Sequence, residues 1–209
     1  MSVPSDKAKP DPALSRSGLS QDEARQADQE LMARVSQGDA QAFQQLVDAG
    51  IDRVLAVARR ILGDEMEAED IAQDVFLKLW RRAGQWEAGR ARVSTWLYRV
   101  TVNSCIDRLR ARKEQMVDEL PEIGGSATQL KTLEEGDLRE FMDDALQALP
   151  ERQRVALVLF HYENLSMSSV AETMDASVEA VESLLARGRR TLKKSLDPHW
   201  RAILPEVLD

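Results

Sequence analysis

Between Gln29 and Arg112, glycine and proline are scarce and apolar side chains recur every three or four residues. That spacing lines them up along one face of a helix, so this half of the chain reads as packed helices and not as sheet. Leu31 and Val35 begin the pattern, and Phe43, Leu46 and Val47 continue it beyond Gly38-Asp39, where Asp39 is placed to cap a new helix. Val54, Leu55, Ala58, Ile61 and Leu62 form the apolar side of a segment from Ile51 to Leu62. Gly63 is its expected C-cap, and Asp64 the expected cap of a helix running to about Arg82. The stripe of that helix is Ile71, Val75, Phe76, Leu79 and Trp80. A further helix is expected from about Val93 to Arg112.

The periodicity lapses around Pro121, Gly124, Gly125, Ser126 and Gly136, then resumes near Asp137 with Phe141, Leu146 and Leu149. Pro150 is expected as the first residue of the next helix, whose Val155–Phe160 run is almost wholly apolar. The expected class is therefore all-α: two small helical domains, 29–113 and 137–198, joined by a flexible acidic linker at 114–136. Residues 1–28 read as a disordered tail, and 199–209 as a C-terminal one.

A formal net charge of −8 argues against binding a polyanion, but charge lies in blocks. Residues 78–113 hold ten Lys or Arg against two acids, 114–150 hold ten acids against two bases, and 187–201 hold six bases against one acid. Fields act locally, within about 10 Å at 0.1 M salt, so two basic blocks can meet nucleic acid despite the total.

Other chemistry has little support. Cys105, the one cysteine, excludes a disulfide framework and reads as a small buried side chain in a reducing, cytoplasmic protein. His161 and His199 lie far apart without a second ligand nearby, so no metal site is expected. No nucleophile–base pair or phosphate loop suggests a catalytic residue, a cofactor or a small-molecule substrate. No signal peptide or membrane span is expected either.

The second domain carries a helix-turn-helix pattern. Ser166–Met174 reads as a short helix, Asp175-Ala176-Ser177 as the turn, and Val178 to about Leu196 as the second helix. Ala171 suits the crossing of the two helices, Asp175 tolerates a left-handed turn, and Ser177 caps the second helix. Such a motif puts the start of its second helix into the major groove. Ser177, Glu179, Ala180, Glu182 and Ser183 are the candidates for base edges, with Arg187, Arg189, Arg190, Lys193 and Lys194 for phosphates. Glu179 and Glu182 repel phosphates, although a glutamate can accept from cytosine N4.

Three motifs, in this order and spacing, carry a family resemblance. They are Ala68-Glu69-Asp70-Ile71-Ala72-Gln73-Asp74-Val75-Phe76-Leu77-Lys78-Leu79-Trp80, then Trp96-Leu97-Tyr98-Arg99-Val100-Thr101-Val102-Asn103 with Asp107 and Arg110, then Leu149-Pro150-Glu151-Arg152-Gln153-Arg154 ahead of the helix-turn-helix. Over roughly 30–196 the chain resembles the extracytoplasmic-function (ECF) group of bacterial sigma-70 family sigma factors. The resemblance implies a region 2 helical bundle, a region 4 helix-turn-helix and promoter-specific initiation with core RNA polymerase as partner.

On that resemblance, Asp70, Gln73 and Asp74 would dock on the polymerase β′ clamp, with Phe76, Leu79 and Trp80 in the core. Trp86, Arg90, Arg92, Arg99, Asn103, Arg108 and Arg110 would hold melted −10 promoter DNA, by stacking and by backbone contacts. Trp96 and Leu97 are expected in the core, and Tyr98 in either place. The second helix of the helix-turn-helix would read −35 duplex. The acidic linker would thread the polymerase, and an anti-sigma factor would hold the resting protein in check. Glu182 and Leu185 depart from the Lys or Arg often found in the recognition helix. Two rivals are a decoy that binds an anti-sigma factor without DNA, and a dimeric helix-turn-helix repressor; both fit the basic blocks and the docking motif less well.

Overall fold

The structure, a computed structural model, describes residues 21–87, 92–118 and 142–203. Among them there is no strand. Helices α1 (Gln21–Ser36), α2 (Ala40–Leu62), α3 (Glu65–Arg82) and α4 (Val93–Asp118) form the first domain. The second holds α5 (142–147), α6 (Glu151–Leu157), a π turn at Val158–Tyr162, α7 (Met167–Thr173) and α8 (Val178–Ile203).

Capping residues set the boundaries as the sequence suggests. The Asp39 carboxylate accepts from the N–H groups of Gln41 (2.9 Å) and Ala42 (3.0 Å), opening α2. Gly63 closes it in the left-handed region at φ 70°, and Asp64 then accepts from Glu67 N–H at 3.0 Å to open α3. Gly63 is sterically held too, since an added Cβ would lie 2.7 Å from the Gln147 side chain.

Five boundaries differ from expectation. Residues 21–28 belong to α1 and not to a tail: Ala24 is buried, and the Asp28 carboxylate accepts from Val93 N–H at 3.1 Å. Asp28 thus caps α4 from across the bundle. The α2 helix runs unbroken through Gly50, where Leu97 and Phe76 approach so closely that a Cβ would meet them at 3.0 and 3.3 Å. Glycine here serves helix packing and does not punctuate. The α4 helix continues five residues past Lys113 into the expected linker, whose remainder lies outside the described residues, and α8 continues to Ile203, past the expected start of a C-terminal tail. Pro150 has ψ 138° and precedes the first helical residue of α6, because its extended backbone delivers the chain to Glu151 without being part of the turn.

One apolar core runs through both domains. Val54, Val57, Ile61, Val75, Leu79 and Val102 fill the first, and Leu146, Val155, Leu159, Val181 and Leu185 the second. Truncating a side chain such as Leu79, which has no exposed surface, costs about 2–5 kcal/mol. In the helix-turn-helix, Asp175 adopts the expected left-handed backbone at φ 48°, and Ser177 accepts from Ala180 N–H at 3.2 Å. Gly188 lets α8 lie against α6; a Cβ there would meet Leu157 at 2.8 Å.

Polar groups join the two domains as well. The Arg154 guanidinium, almost fully buried, donates to the carbonyls of Ile61, Gln147 and Leu149 and to the Gln147 carboxamide oxygen. Burial lowers its pKa from the ordinary value. Gln147 in turn donates to Arg60 O at 2.9 Å. Beside them the Tyr98 hydroxyl donates to Glu163 at 2.9 Å, and Lys113 pairs with Glu151 at 2.6 Å.

Removing the cap from α4 tests the reassigned α1. Asp28→Ala is expected to lower unfolding free energy by about 1–2 kcal/mol in urea titration, as loss of a helix cap does. A change within about 0.5 kcal/mol, the usual range for an indifferent surface position, would return residues 21–28 to a tail.

Candidate nucleic-acid and partner interfaces

The α3 helix buries Ala68, Ile71, Ala72, Val75, Phe76 and Leu79, which leaves the opposite face to solvent. At 3.6 residues per turn, Met66, Asp70, Gln73, Leu77 and Trp80 fall within an arc of about 80°, with Asp74 about 40° beyond it. All six are exposed, Met66 by 78% and Leu77 by 47%. The expected acidic trio is therefore brought together, and it is interleaved with apolar side chains that the sequence reading missed. A helical wheel of the acidic motif carries that signal, since Met66 and Leu77 sit on the polar side of the stripe. Trp80 is a correction: it is 36% exposed, and its ring meets Phe43 edge-on at 5.0 Å, because it stands at the rim of the α2–α3 contact and not in the core.

On α4 the same geometry divides the expected −10 residues. Arg99, Asn103 and Arg110 lie within an arc of about 40° and are exposed, so they form one stripe. Arg108 lies about 180° from Arg99 and faces α3, where it stands 3.7 Å from Glu67. Arg112 reinforces that contact, pairing with Glu67 at 2.5 Å and Asp64 at 3.6 Å. Arg92 is turned inward too: its side chain is 11% exposed and lies 3.8 Å from the Asp28 carboxylate. Neither Arg108 nor Arg92 joins the stripe, because each completes a contact between helices.

Trp86 follows the 3₁₀ turn Ala83–Gln85 and leans on Trp96, edge to face at 6.5 Å, so half of it packs on the core. Leu97 and Tyr98 are buried, which decides the open question about Tyr98 for the free protein. Arg90 lies outside the described residues.

The second domain presents its candidates together. Val181, Leu185 and Gly188 face the core, and Ser177, Glu179, Ala180, Glu182, Ser183, Arg187, Arg189, Arg190, Lys193 and Lys194 are all exposed on the remaining side of α8. Its two ends differ in charge. Glu179 stands at the helix start, where its own backbone N–H and then the Ser177 hydroxyl hold its carboxyl below the usual carboxylate range. Arg187 is ordered by Ser183, donating to its carbonyl at 3.2 Å and its hydroxyl at 3.0 Å. Arg189 donates to His161 at 3.2 Å and lies 5.7 Å from the Phe160 ring. Cys105 is fully buried, which pushes its thiol up to about 12 and leaves it unreactive. Among the described residues no group of His, Cys, Asp and Glu has the makings of a metal site, and no helix is long and apolar enough to cross a membrane.

Mutation separates struts from surface. Arg92→Ala is expected to destabilise the fold by about 1–3 kcal/mol, since it removes the cation beside the part-buried Asp28 carboxylate. Arg99→Ala and Arg110→Ala should stay within about 0.5 kcal/mol of wild type. Urea titration of the three variants checks this, and equal stabilities would return Arg92 to the surface set.

Residues 46–115 match Sigma-70 region 2, and residues 141–192 match Sigma-70, region 4. The chain is 33% identical over 186 residues to the RNA polymerase sigma-H factor of Pseudomonas aeruginosa, covering 83% of this chain and 96% of that one. It is 30% identical over 175 residues to the ECF RNA polymerase sigma factor SigW of Bacillus subtilis, covering 78% and 93%. Among solved structures, CnrH in complex with the cytosolic domain of CnrY aligns with a TM-score of 0.61 at 25% identity, over 82% of this chain and 98% of that chain. The sigma factor RpoE of Bartonella quintana, solved with the anti-sigma factor NepR, aligns with a TM-score of 0.60 at 24% identity, over 74% and 96%, and supports the fold. The chain belongs to the ECF group of the sigma-70 family.

Proposed function

We propose that this sigma factor docks on core RNA polymerase through the exposed face of α3, holds melted −10 DNA along α4, and reads −35 duplex with α8. The observation that carries the reading is the separation of three exposed stripes of different chemistry on one helical scaffold. Asp70, Gln73 and Asp74 offer acceptors to a basic partner helix, and Met66, Leu77 and Trp80 add apolar area beside them. That mixture suits a protein surface, in which a desolvated centre supplies affinity and a charged rim supplies orientation.

The α4 stripe suits a single strand. Arg99 and Arg110 track phosphates, Asn103 can contact a base, and the outer side of Trp86 offers a stacking face. The α8 surface suits a duplex, with cations for phosphates towards its C-terminal half and hydrogen-bonding groups at its start. Synthesis of RNA belongs to the polymerase, and this chain supplies promoter choice in the polymerase's own compartment, the cytoplasm.

The solved relatives CnrH and RpoE are each held by a second protein, in RpoE's case an anti-sigma factor. An anti-sigma factor covering the α3 and α4 stripes would silence this chain. The decoy reading is disfavoured, because Arg99, Arg110, Arg190, Lys193 and Lys194 are all solvent-facing where a decoy has no use for them.

Reversing two charges on α3 tests docking directly. Asp70→Lys with Asp74→Lys should weaken core polymerase binding at least about tenfold while leaving the melting curve in place, as exposed positions allow. Unchanged affinity would remove α3 from the interface. On DNA, Lys193→Ala should weaken binding similarly across sequences and reduce the salt dependence by about one counterion, whereas loss of sequence preference would make it a base reader.

A further inference from the structure

The α6 helix does not end as an α-helix. Glu163 N–H donates to Val158 O at 3.1 Å, five residues back, where α-helical spacing would choose Leu159. The extra residue widens the turn, and π turns of this kind are frequent at functional sites. Val158 and Leu159 stay buried, while Phe160 and His161 reach α8. There the Arg189 Nε–H donates to His161 Nε2 at 3.2 Å, and the guanidinium lies 5.7 Å from the Phe160 ring. That ring meets the imidazole edge-on at 5.0 Å. A ring nitrogen that accepts carries no proton, so His161 is neutral in this contact.

Arg189 has a place of its own among the cations of α8. At about 100° per residue, Arg190 and Lys194 lie nearly opposite the buried row of Val181, Leu185 and Gly188. Arg189 lies about 70° to one side of that row. A helix in the major groove turns its outermost line to base edges and its flanks to the phosphates on either side. Arg189 therefore stands at an edge of the surface, and exposed His161 extends that edge onto a second element.

Other charges surround the turn. Arg60 of α2 pairs with Glu163 at 3.8 Å and lies over the Tyr162 ring, towards which Asp143 of α5 also acts. Arg154 of α6 is held by carbonyls, and Glu151 of α6 by Lys113 of α4. Arg152 of α6, Glu172 of α7 and Lys193 of α8, one turn beyond Arg189, are exposed and screened by solvent. A proton on His161 in the free protein would set an imidazolium against the guanidinium 3.2 Å away. A phosphate between the two removes that conflict, because it accepts from both.

We propose that His161 and Arg189 form a proton-coupled phosphate contact at the edge of the −35 surface. In the free protein the neutral imidazole holds Arg189. When a backbone phosphate of the duplex arrives, Arg189 turns to it, His161 takes a proton from solvent, and the imidazolium becomes a second donor to the same strand. The negative charge of the phosphate favours the protonated ring, so the complex binds more protons than the free protein does. Affinity therefore rises as pH falls, and the increment is lost as pH rises. The inference rests on the assignment of α8 to −35 duplex above.

Holoenzyme made with the full chain is titrated with promoter DNA at about pH 6 and about pH 8, a range over which histidine changes charge. Each variant is compared with wild type at the same pH, which cancels the polymerase's own response. His161→Gln keeps an acceptor for Arg189 but takes up no proton. It should bind within about twofold of wild type at the higher pH and about three- to tenfold more weakly at the lower, with a salt dependence there shallower by about one counterion. His161→Arg, a permanent cation, should match wild type at the lower pH and bind about three- to tenfold more tightly at the higher. Parallel pH profiles for wild type and His161→Gln would overturn the proposal, as would a His161→Arg variant no tighter than wild type at the higher pH. On promoter DNA cut off downstream of the −35 element, wild type and His161→Gln should coincide. If wild type bound cut and complete promoters equally, the −35 assignment would fall and this proposal with it, whereas a His161 effect persisting on the cut promoter would overturn the proposal alone.

Discussion

The C-terminus of α2 is the point on which both domains depend. A helix leaves its last four carbonyls without partners, and burying them unpaired is costly. Here each is closed by a different part of the chain. Arg59 O accepts from Gly63 N–H at 2.8 Å, Arg60 O from Gln147, Ile61 O from Arg154 and Leu62 O from Arg112 at 3.3 Å. Three of the donors come from distant parts of the chain, and two of those are cations, which the negative end of the helix dipole favours. Arg154 makes the arrangement affordable: a buried guanidinium is tolerated only when its N–H groups find acceptors, and four acceptors surround it.

From that anchor, helix geometry allots the surfaces. The α3 helix must bury Ile71, Val75 and Leu79, which fixes Asp70 and Gln73 outward. Likewise α4 must bury Val102 and Cys105, which fixes Arg99, Asn103 and Arg110 outward. Arg108 and Arg112 fall towards Glu67 and Asp64, and their ion pairs join the two helices where they would otherwise meet as opposite charges in solvent. Exposed pairs of this kind contribute about 0–1 kcal/mol, so they orient α3 on α4 more than they stabilise it. The acidic total of the chain therefore does not bar binding, since the α3 and α4 stripes each present one sign over a distance comparable to the screening length.

Local signals were legible in the sequence because they act between near neighbours. Asp39, Gly63, Asp64, Asp175 and Ser177 all do what their residue types and spacing imply. What escaped reading joins residues distant in the chain. Asp28 caps a helix 65 positions later, and nothing near it in sequence says so. Nothing near Gly50 says why a glycine stands there until Leu97 and Phe76 are seen against it. Arg92 and Arg108 read as free cations until their carboxylates arrive from α1 and α3. Tyr98, undecided between core and surface, is buried by a domain that the linker reading had set apart.

Over 178–194 the α8 helix gathers its carboxylates at the start and its cations beyond them, a polarity that suits a division of affinity from specificity. Glu179 remains ionised, because the helix start that holds it favours negative charge. An ionised carboxylate in the groove is repelled by the phosphates on either side, so it gains nothing from the polyanion itself. It can be tolerated only where Arg190, Lys193 and Lys194 supply the attraction and where a base offers a donor. Cytosine N4 is such a donor, whereas the guanine edge presents only acceptors to the major groove. A recognition helix with Glu179 and Glu182 at its reading end would therefore discriminate by rejection as much as by attraction: a guanine would leave a carboxylate facing acceptors, with its hydration lost and nothing returned.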